Sequence, residues 1–200
     1  MKICLCLRGI HYSNDSYTTD YRKSLENYRN FIIKPLEDQG HQVDILLFTY
    51  DTEVSRTLKE DYGSSPNSVF LPAPERFNGT NWKRQLVFHR CTVDSIRLNE
   101  QQKGSLYDLI INTRFDLFFT TKITDMTYDP SRFNCAFKHS SGNCDDNLWI
   151  FPRNLLDSFS FAVSTIDQRN QITHEINKYI ETHYMYGPME YLYWTFLRKN

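Results

Sequence analysis

"YDLIINTRFDLFFTT", residues 107–121, decides how the rest of the chain is read. Its apolar run predicts a strand from Leu106 to Thr113, buried and central in a sheet. Two charges, Arg114 and Asp116, stand where that run ends. In an open parallel sheet the loops converge on a ligand at the carboxyl ends of the strands, so charges at that position raise a question of chemistry as much as of packing.

Outward from this stretch, "KICLCL" (2–7) fits a short first strand that leads into a polar, turn-like "RGIHYSNDS". Leu25, Tyr28, Ile32 and Leu36 recur at helical spacing from about Tyr21, with Gly40 as the stop, and Pro35 is expected to kink or shorten that helix. "QVDILLFTY" predicts a second strand ending at Asp51. Residues 52–79, with "GSSPNS" and "LPAPERFNGT", read as a long surface excursion holding at most one or two helical turns. A helix is expected from Asn81 to Lys103, closed by Gly104. The order strand, helix, strand, helix, strand favours parallel strands joined by crossover helices.

Beyond Thr120 the pattern changes. "RFNCAFKH" and "NLWIFP" read as two further strands around the polar "SSGNCDD", and helices are expected over about 153–166, 171–184 and 188–198. Residues 1–200 are therefore expected to form a single α/β domain. A chain of 200 residues, 40% hydrophobic and 15% aromatic, is ample for one such core.

A net charge of −1 supplies no overall basic field, which argues against a general nucleic-acid binder. The start "MKICLCLRGIHY" lacks the long apolar core of a signal peptide, and no apolar run approaches a membrane span, so a cytoplasmic location is expected. Five cysteines without a C-x-x-C predict thiols rather than a disulfide scaffold, with Cys4 and Cys6 as core packing. The sequons at Asn14 and Asn78 need a secretory route and are discounted.

Alternation puts Arg114 and Asp116 on one side of an extended backbone. A guanidinium there can grip a phosphate, while a carboxylate can hold a divalent cation that bridges the phosphate to the protein. The competing reading is an ordinary Arg–Asp pair at a strand end. Because a half-buried pair is a poor source of stability, the ligand reading gains weight.

"YDLIINTRFDLFF" resembles the YD-hydrophobic-x-x-R-x-D-L segment of GT-A fold nucleotide-sugar glycosyltransferases, of the kind found in bacterial polysaccharide synthesis and in large DNA viruses. "MKICLCLRG" is similar to that family's opening strand and donor loop, "VDILLFTYD" to its second strand, and "CDDNLWIFP" to the segment lining the acceptor side. The resemblance implies a mixed, mainly parallel sheet flanked by helices, with residues 1–120 as the nucleotide-sugar half and 121–200 as the acceptor side. It further implies a UDP-sugar donor, a carbohydrate acceptor, and Mn2+ or Mg2+ held by Asp116. Arg114 takes the place of the first acid in the usual Asp-x-Asp.

By the same resemblance Arg8 and Gly9 meet the nucleotide or its diphosphate. Thr49, Tyr50 and Asp51 end the second strand, where an aromatic can stack on a base or else pack in the core, and a carboxylate can accept from the base or a ribose hydroxyl. Lys83 and Arg90, seven apart on one helix, share a face from which both can reach the diphosphate, a solvated basic face being the competing reading for at least one of them. Asp145 or Asp146 is the expected base that takes the acceptor's proton. Glu190, after Pro188, reads as a helix-start acid, and His139 and His183 are the histidines best placed as a third metal ligand. A domain of the same fold that binds nucleotide-sugar or carbohydrate without turnover is the alternative, and either could be one module of a longer polypeptide. A dinucleotide oxidoreductase is disfavoured because "LRGIHYSND" carries no Gly-x-Gly-x-x-Gly turn.

Overall fold

A computed structural model describes residues 1–13, 19–74, 82–135 and 147–172, without the side chains of 82–84 and 165–172. β1 (Lys2–Arg8) leads into a hairpin of β2 (Tyr12–Ser13) and β3 (Thr19–Asp20), then α1 (Arg22–Tyr28), a π-helical turn over Arg29–Ile33 and α2 (Lys34–Asp38). β4 (Gln42–Asp51), α3 (Ser55–Tyr62), β5 (Val69–Pro72) and α4 (Trp82–Lys103) follow. β6 (Leu109–Arg114), β7 (Asn134–Cys135), β8 (Leu148–Pro152) and α5 (Leu156–Ile172) complete the described chain.

The strands other than the β2–β3 hairpin form one six-stranded sheet in the order β5-β4-β1-β6-β8-β7. β5, β4, β1 and β6 run parallel, and β8 pairs antiparallel with both β6 and β7. Side-chain alternation sorts the central strands between two apolar layers. Ile3, Leu5, Leu7, Ile45, Leu47 and Ile111 pack with α1, α2 and α3 on one face, while Cys4, Cys6, Leu46, Phe48 and Ile110 pack with α4 and α5 on the other. Because both faces are covered, β1 and β6 read in the sequence as continuous apolar runs. The result is the mixed, mainly parallel α/β architecture that the sequence predicts.

Local differences have local causes. Pro35 neither breaks nor shortens its helix: the preceding turn widens, so that Lys34 N bonds to the carbonyl of Arg29, five residues back. The helical ends at Gly40 and Gly104 fall where expected. The 52–79 excursion contains not only the two turns of α3 but also β5, an edge strand pairing Val69–Pro72 with Phe48–Asp51. β6 starts at Leu109 rather than Leu106, because Tyr107 N donates to Glu100 Oε1 at 3.1 Å and draws that backbone toward the end of α4. A short 3-10 turn over Arg153–Leu155 precedes α5, which runs to Ile172, past the expected end at 166. The second half of "RFNCAFKH" and the segment 173–200 lie outside the described residues, as do Asn14 and Asn78. Among the described residues no helix is long and apolar enough to cross a membrane.

Cys4 and Cys6 are buried thiols in the core, as expected, and Cys91 is also a thiol. Cys135 is disulfide-bonded, against the expectation of free thiols.

An ion pair invisible to sequence patterning ties α4 to the edge of β8. Arg153 donates to both oxygens of Glu100, at 2.6 and 2.9 Å, and Glu100 is only 5% exposed. Removing one partner leaves a largely buried charge without its counterion, so Glu100→Ala should lower unfolding free energy by about 3 kcal/mol. Urea denaturation measures this; a loss below about 0.5 kcal/mol would place the pair among ordinary surface ion pairs.

Candidate functional site

Connections leave β1 and β6 in opposite directions. From β1 the chain passes through α1 and α2 to β4 on one side; from β5 it returns through α4 to β6 on the other. The carboxyl ends of β1 and β6 therefore form a topological switch point, the usual place for a ligand in such sheets. There the two strands pair in register as far as Arg8 opposite Arg114. Register partners in a parallel pair put their side chains on the same face, so the site begins with two arginines side by side.

Arg114 turns onto Asp116 in a two-pronged contact, Nε to Oδ1 at 2.8 Å and Nη2 to Oδ2 at 2.6 Å. Both side chains remain partly exposed, 31% and 39%. The backbone that carries them is held by three side chains of α1 spaced three and four residues apart. Ser24 Oγ donates to the Phe115 carbonyl at 2.6 Å, and the Tyr28 hydroxyl donates to the Arg114 carbonyl. Asn27 donates to the Phe119 carbonyl at 2.9 Å and accepts from its N–H at 2.7 Å. These contacts satisfy backbone groups that leave the ladder at the end of β6. In the sequence Tyr28 reads only as a core position, and Ser24 and Asn27 carry no signal of this role.

Arg8 is almost wholly buried. Its Nε donates to Asn112 Oδ1 at 3.2 Å, and its guanidinium lies 5.5 Å from the centre of the Trp149 ring. Gly9 adopts φ 105°, a conformation L side chains rarely take, and its N–H reaches the Phe48 carbonyl at 3.0 Å. A Cβ there would meet nothing within 4 Å, so the backbone, not crowding, calls for glycine.

Thr49 is buried under this turn and acts as a brace. Its hydroxyl donates to the Gly9 carbonyl at 2.6 Å and so must accept from His11 Nδ1 at 2.7 Å. His11 Nε2 then accepts from the Thr52 hydroxyl at 3.0 Å. Burial pushes the His11 pKa from 6.5 to about 4, with Asp51 and Asp20 partly offsetting it. Tyr50 packs in the core, its ring edge-on to Phe88 at 5.1 Å, so its face is not presented to a base. Asp51 is exposed at the end of β4.

The structure thus brings together Arg8, Gly9, Thr49, Arg114 and Asp116. Arg90 instead lines a small cleft between α4 and α5 with Asp94, Ser160 and Ser164. Lys83 lies in the first turn of α4, but its side chain is outside the described residues, as are Asp145, Asp146, His139, His183 and Glu190. Among the described residues no three His, Cys, Asp or Glu side chains gather closely enough to hold a metal by themselves. A groove of about 830 Å³ opens at the other end of the sheet, lined by Val43, Asp44, Ser65, Asn99 and Lys103 among others. Several of its polar groups bond to one another, Lys103 to Asp44 at 2.6 Å and Ser65 to Asn99 at 2.7 Å. It lies at the amino end of β4, where a parallel sheet does not gather its ligand-binding loops.

No family model and no curated protein matches the chain. Among solved structures it is similar to the crystal structure of a glycosyltransferase involved in the glycosylation of the major capsid of PBCV-1, with a TM-score of 0.41 and 11% identity over 94% of this chain and 78% of that one. A likeness of that strength bears on neither activity nor residue roles.

The His11 brace makes stability depend on pH. The unfolded chain takes up a proton near pH 6.5 and the folded one only near pH 4, so the contribution is full above 6.5 and is lost as pH falls toward 4. Wild type should lose roughly 2–3 kcal/mol across that window from this group. His11→Gln, which does not titrate, should show a correspondingly shallower loss in parallel urea titrations. Identical slopes for the two proteins would remove His11 as the cause.

Proposed function

We propose that this chain is a glycosyltransferase of the GT-A type that moves a sugar from a nucleoside-diphosphate donor, a UDP-sugar, to a carbohydrate hydroxyl in glycan synthesis. The observation that carries the reading is the register of Arg8 with Arg114 at the switch point, with Asp116 beside them on a loop pinned by α1. Diphosphate is the leaving group of such a donor, and fixed guanidiniums offset the charge it gains as its bond to the sugar breaks. The sequence resemblance of "YDLIINTRFDLFF" supports the same assignment.

In this reading Arg114, with Lys83, faces the diphosphate, and the buried Arg8 adds its positive charge from beneath the end of β1. The Gly9 turn admits the donor backbone-close, and Asp51 lies at the nucleotide end. Thr49 serves by bracing that turn. Tyr50 and Arg90 contribute through the packing of the sheet end and of α4. Asp145 or Asp146 takes the proton from the acceptor hydroxyl as its oxygen attacks the anomeric carbon and the bond to the diphosphate oxygen breaks.

Asp116 fits a divalent cation in one respect. It presents a part-exposed carboxylate, and Mg2+-type sites take one or two carboxylates together with substrate phosphates and waters. When bound, Mn2+ or Mg2+ would supply charge neutralisation at the leaving diphosphate. The grip of Arg114 on the same carboxylate favours the alternative of a nucleotide-sugar binder without turnover. Release of UDP from a UDP-sugar, with or without acceptor, distinguishes the two.

Two outcomes are expected. UDP should bind more tightly with Mn2+ than with a chelator, and Asp116→Asn should abolish that increment in calorimetric titration; equal wild-type affinity in both conditions would assign neutralisation to the arginines alone. Asp145→Ala or Asp146→Ala should cut turnover by about two to four orders of magnitude while keeping donor affinity. Unchanged turnover in both would move the base to another residue, with Glu190 the next to examine.

A further inference from the structure

We propose that Phe118 is the platform on which a sugar ring stacks beside the diphosphate, and so a specificity-determining residue of the site; the inference rests on the nucleotide-sugar reading above. Six large apolar side chains are exposed among the described residues. Met1 and Leu106 precede β1 and β6, at the amino ends of those strands, and Val87, Leu98 and Phe161 lie on α4 and α5. Phe118 alone follows the carboxyl end of a strand, four residues past the end of β6, and it is 64% exposed.

Its position is held although its ring stands in water. Burial alternates along the loop: Phe115, Leu117 and Phe119 turn into the apolar layer that packs with α1, while Asp116 and Phe118 stay outside it. Asn27 grips both backbone groups of Phe119, and the Phe119 ring meets Tyr28 edge-on at 5.3 Å. Two residues of extended chain span at most roughly 7 Å, so the Cα of Phe118 lies no farther than that from the Cα of Asp116. A phenyl ring left in water forgoes the gain of burial, and a ligand that covers it recovers that gain.

The order of the strands says which part of a donor reaches this ring. Asp51 ends β4, Gly9 follows β1 and Arg114 ends β6, and the three strands are neighbours in the order β4-β1-β6. A donor with its nucleotide at Asp51 and its diphosphate at Arg114 and Asp116 runs toward β6, so its sugar falls at the loop that follows. A pyranose ring carries C–H groups between its hydroxyls, and these weakly positive hydrogens suit the negative face of an aromatic ring. Phenylalanine has only two side-chain torsions to fix, so it meets a ligand at small entropic cost. The acceptor, which must approach the same anomeric carbon, offers the same ring chemistry and is the second source of the stacked sugar.

The test uses the full chain with Mn2+ and compares wild type with Phe118→Ala, Phe118→Leu and Phe118→Trp. The side chain is exposed, so all three should melt as wild type does. UDP, UDP-glucose, UDP-galactose and UDP-N-acetylglucosamine are titrated calorimetrically. Phe118→Ala and Phe118→Leu should bind UDP as wild type does yet hold the best UDP-sugar about two- to tenfold more weakly, the scale of an aromatic stack, and Phe118→Trp should restore it. If the UDP-sugars are unaffected but methyl glucoside or methyl galactoside binds the UDP-loaded Ala and Leu variants more weakly in an NMR titration, the stacked ring is the acceptor's. An equal loss for UDP and every UDP-sugar would put the base or the diphosphate on Phe118 and overturn the inference. Wild-type affinity of Phe118→Ala for every probe, whether or not it melts lower, overturns it as well, and in each of these cases the nucleotide reading stands. If wild type binds neither UDP nor any UDP-sugar, the nucleotide reading and this inference fall together.

Discussion

The pairing of β1 with β6, residue by residue from Ile3–Leu109 to Arg8–Arg114, is the constraint on which the rest of the structure depends. Both strands are buried on both faces, and a slip of one residue would turn every side chain to the wrong layer. Their ends therefore coincide, and two arginines are rooted on one face of neighbouring strands roughly 4.8 Å apart. Like charges so placed repel. The fold answers this differently on the two strands: Arg114 meets Asp116 near solvent, whereas Arg8 is buried against Asn112 and Trp149.

That difference orders the energetics. An exposed two-pronged pair such as Arg114–Asp116 contributes on the order of 0–1 kcal/mol, so a ligand can take over either partner at little cost to the fold. Arg8 has no such latitude, since moving a buried guanidinium means unpacking the aromatic layer of Trp149 and Phe159. One cation is thus exchangeable and the other fixed. The loop of Arg114 is itself held by Ser24, Asn27 and Tyr28, so exchange of partners requires side-chain motion and no backbone rearrangement.

Much of this frame is legible in the sequence. Continuous apolar runs give β1, β4 and β6, helical spacing gives the long helices, and the break of "LIINTRFD" from apolar to charged marks the candidate site. What is not legible depends on distant partners. β5 is a half-buried edge strand with neither alternation nor a long apolar run, and its pairing is set by β4. The widened turn before Pro35 is one of several ways a helix accommodates a proline, and the proline alone does not reveal which. Ser24 and Asn27 look like ordinary polar helix positions until their carbonyl and N–H partners are brought in from more than ninety residues away. His11 and His89 carry no motif, and only burial distinguishes them from surface histidines. Tyr50 shows the converse: placed at a strand end it suggests base stacking, yet α4 covers its ring.

The central claim is that the carboxyl ends of β1 and β6 form a diphosphate site. A crystal structure of the chain with UDP and Mn2+ tests it most directly. Diphosphate oxygens are expected within hydrogen-bonding distance of the Arg114 guanidinium, with the Arg114–Asp116 contact opened and Asp116 on the cation. Diphosphate bound instead in the groove beside Asp44 and Lys103, with Arg114 and Asp116 still joined, would contradict it.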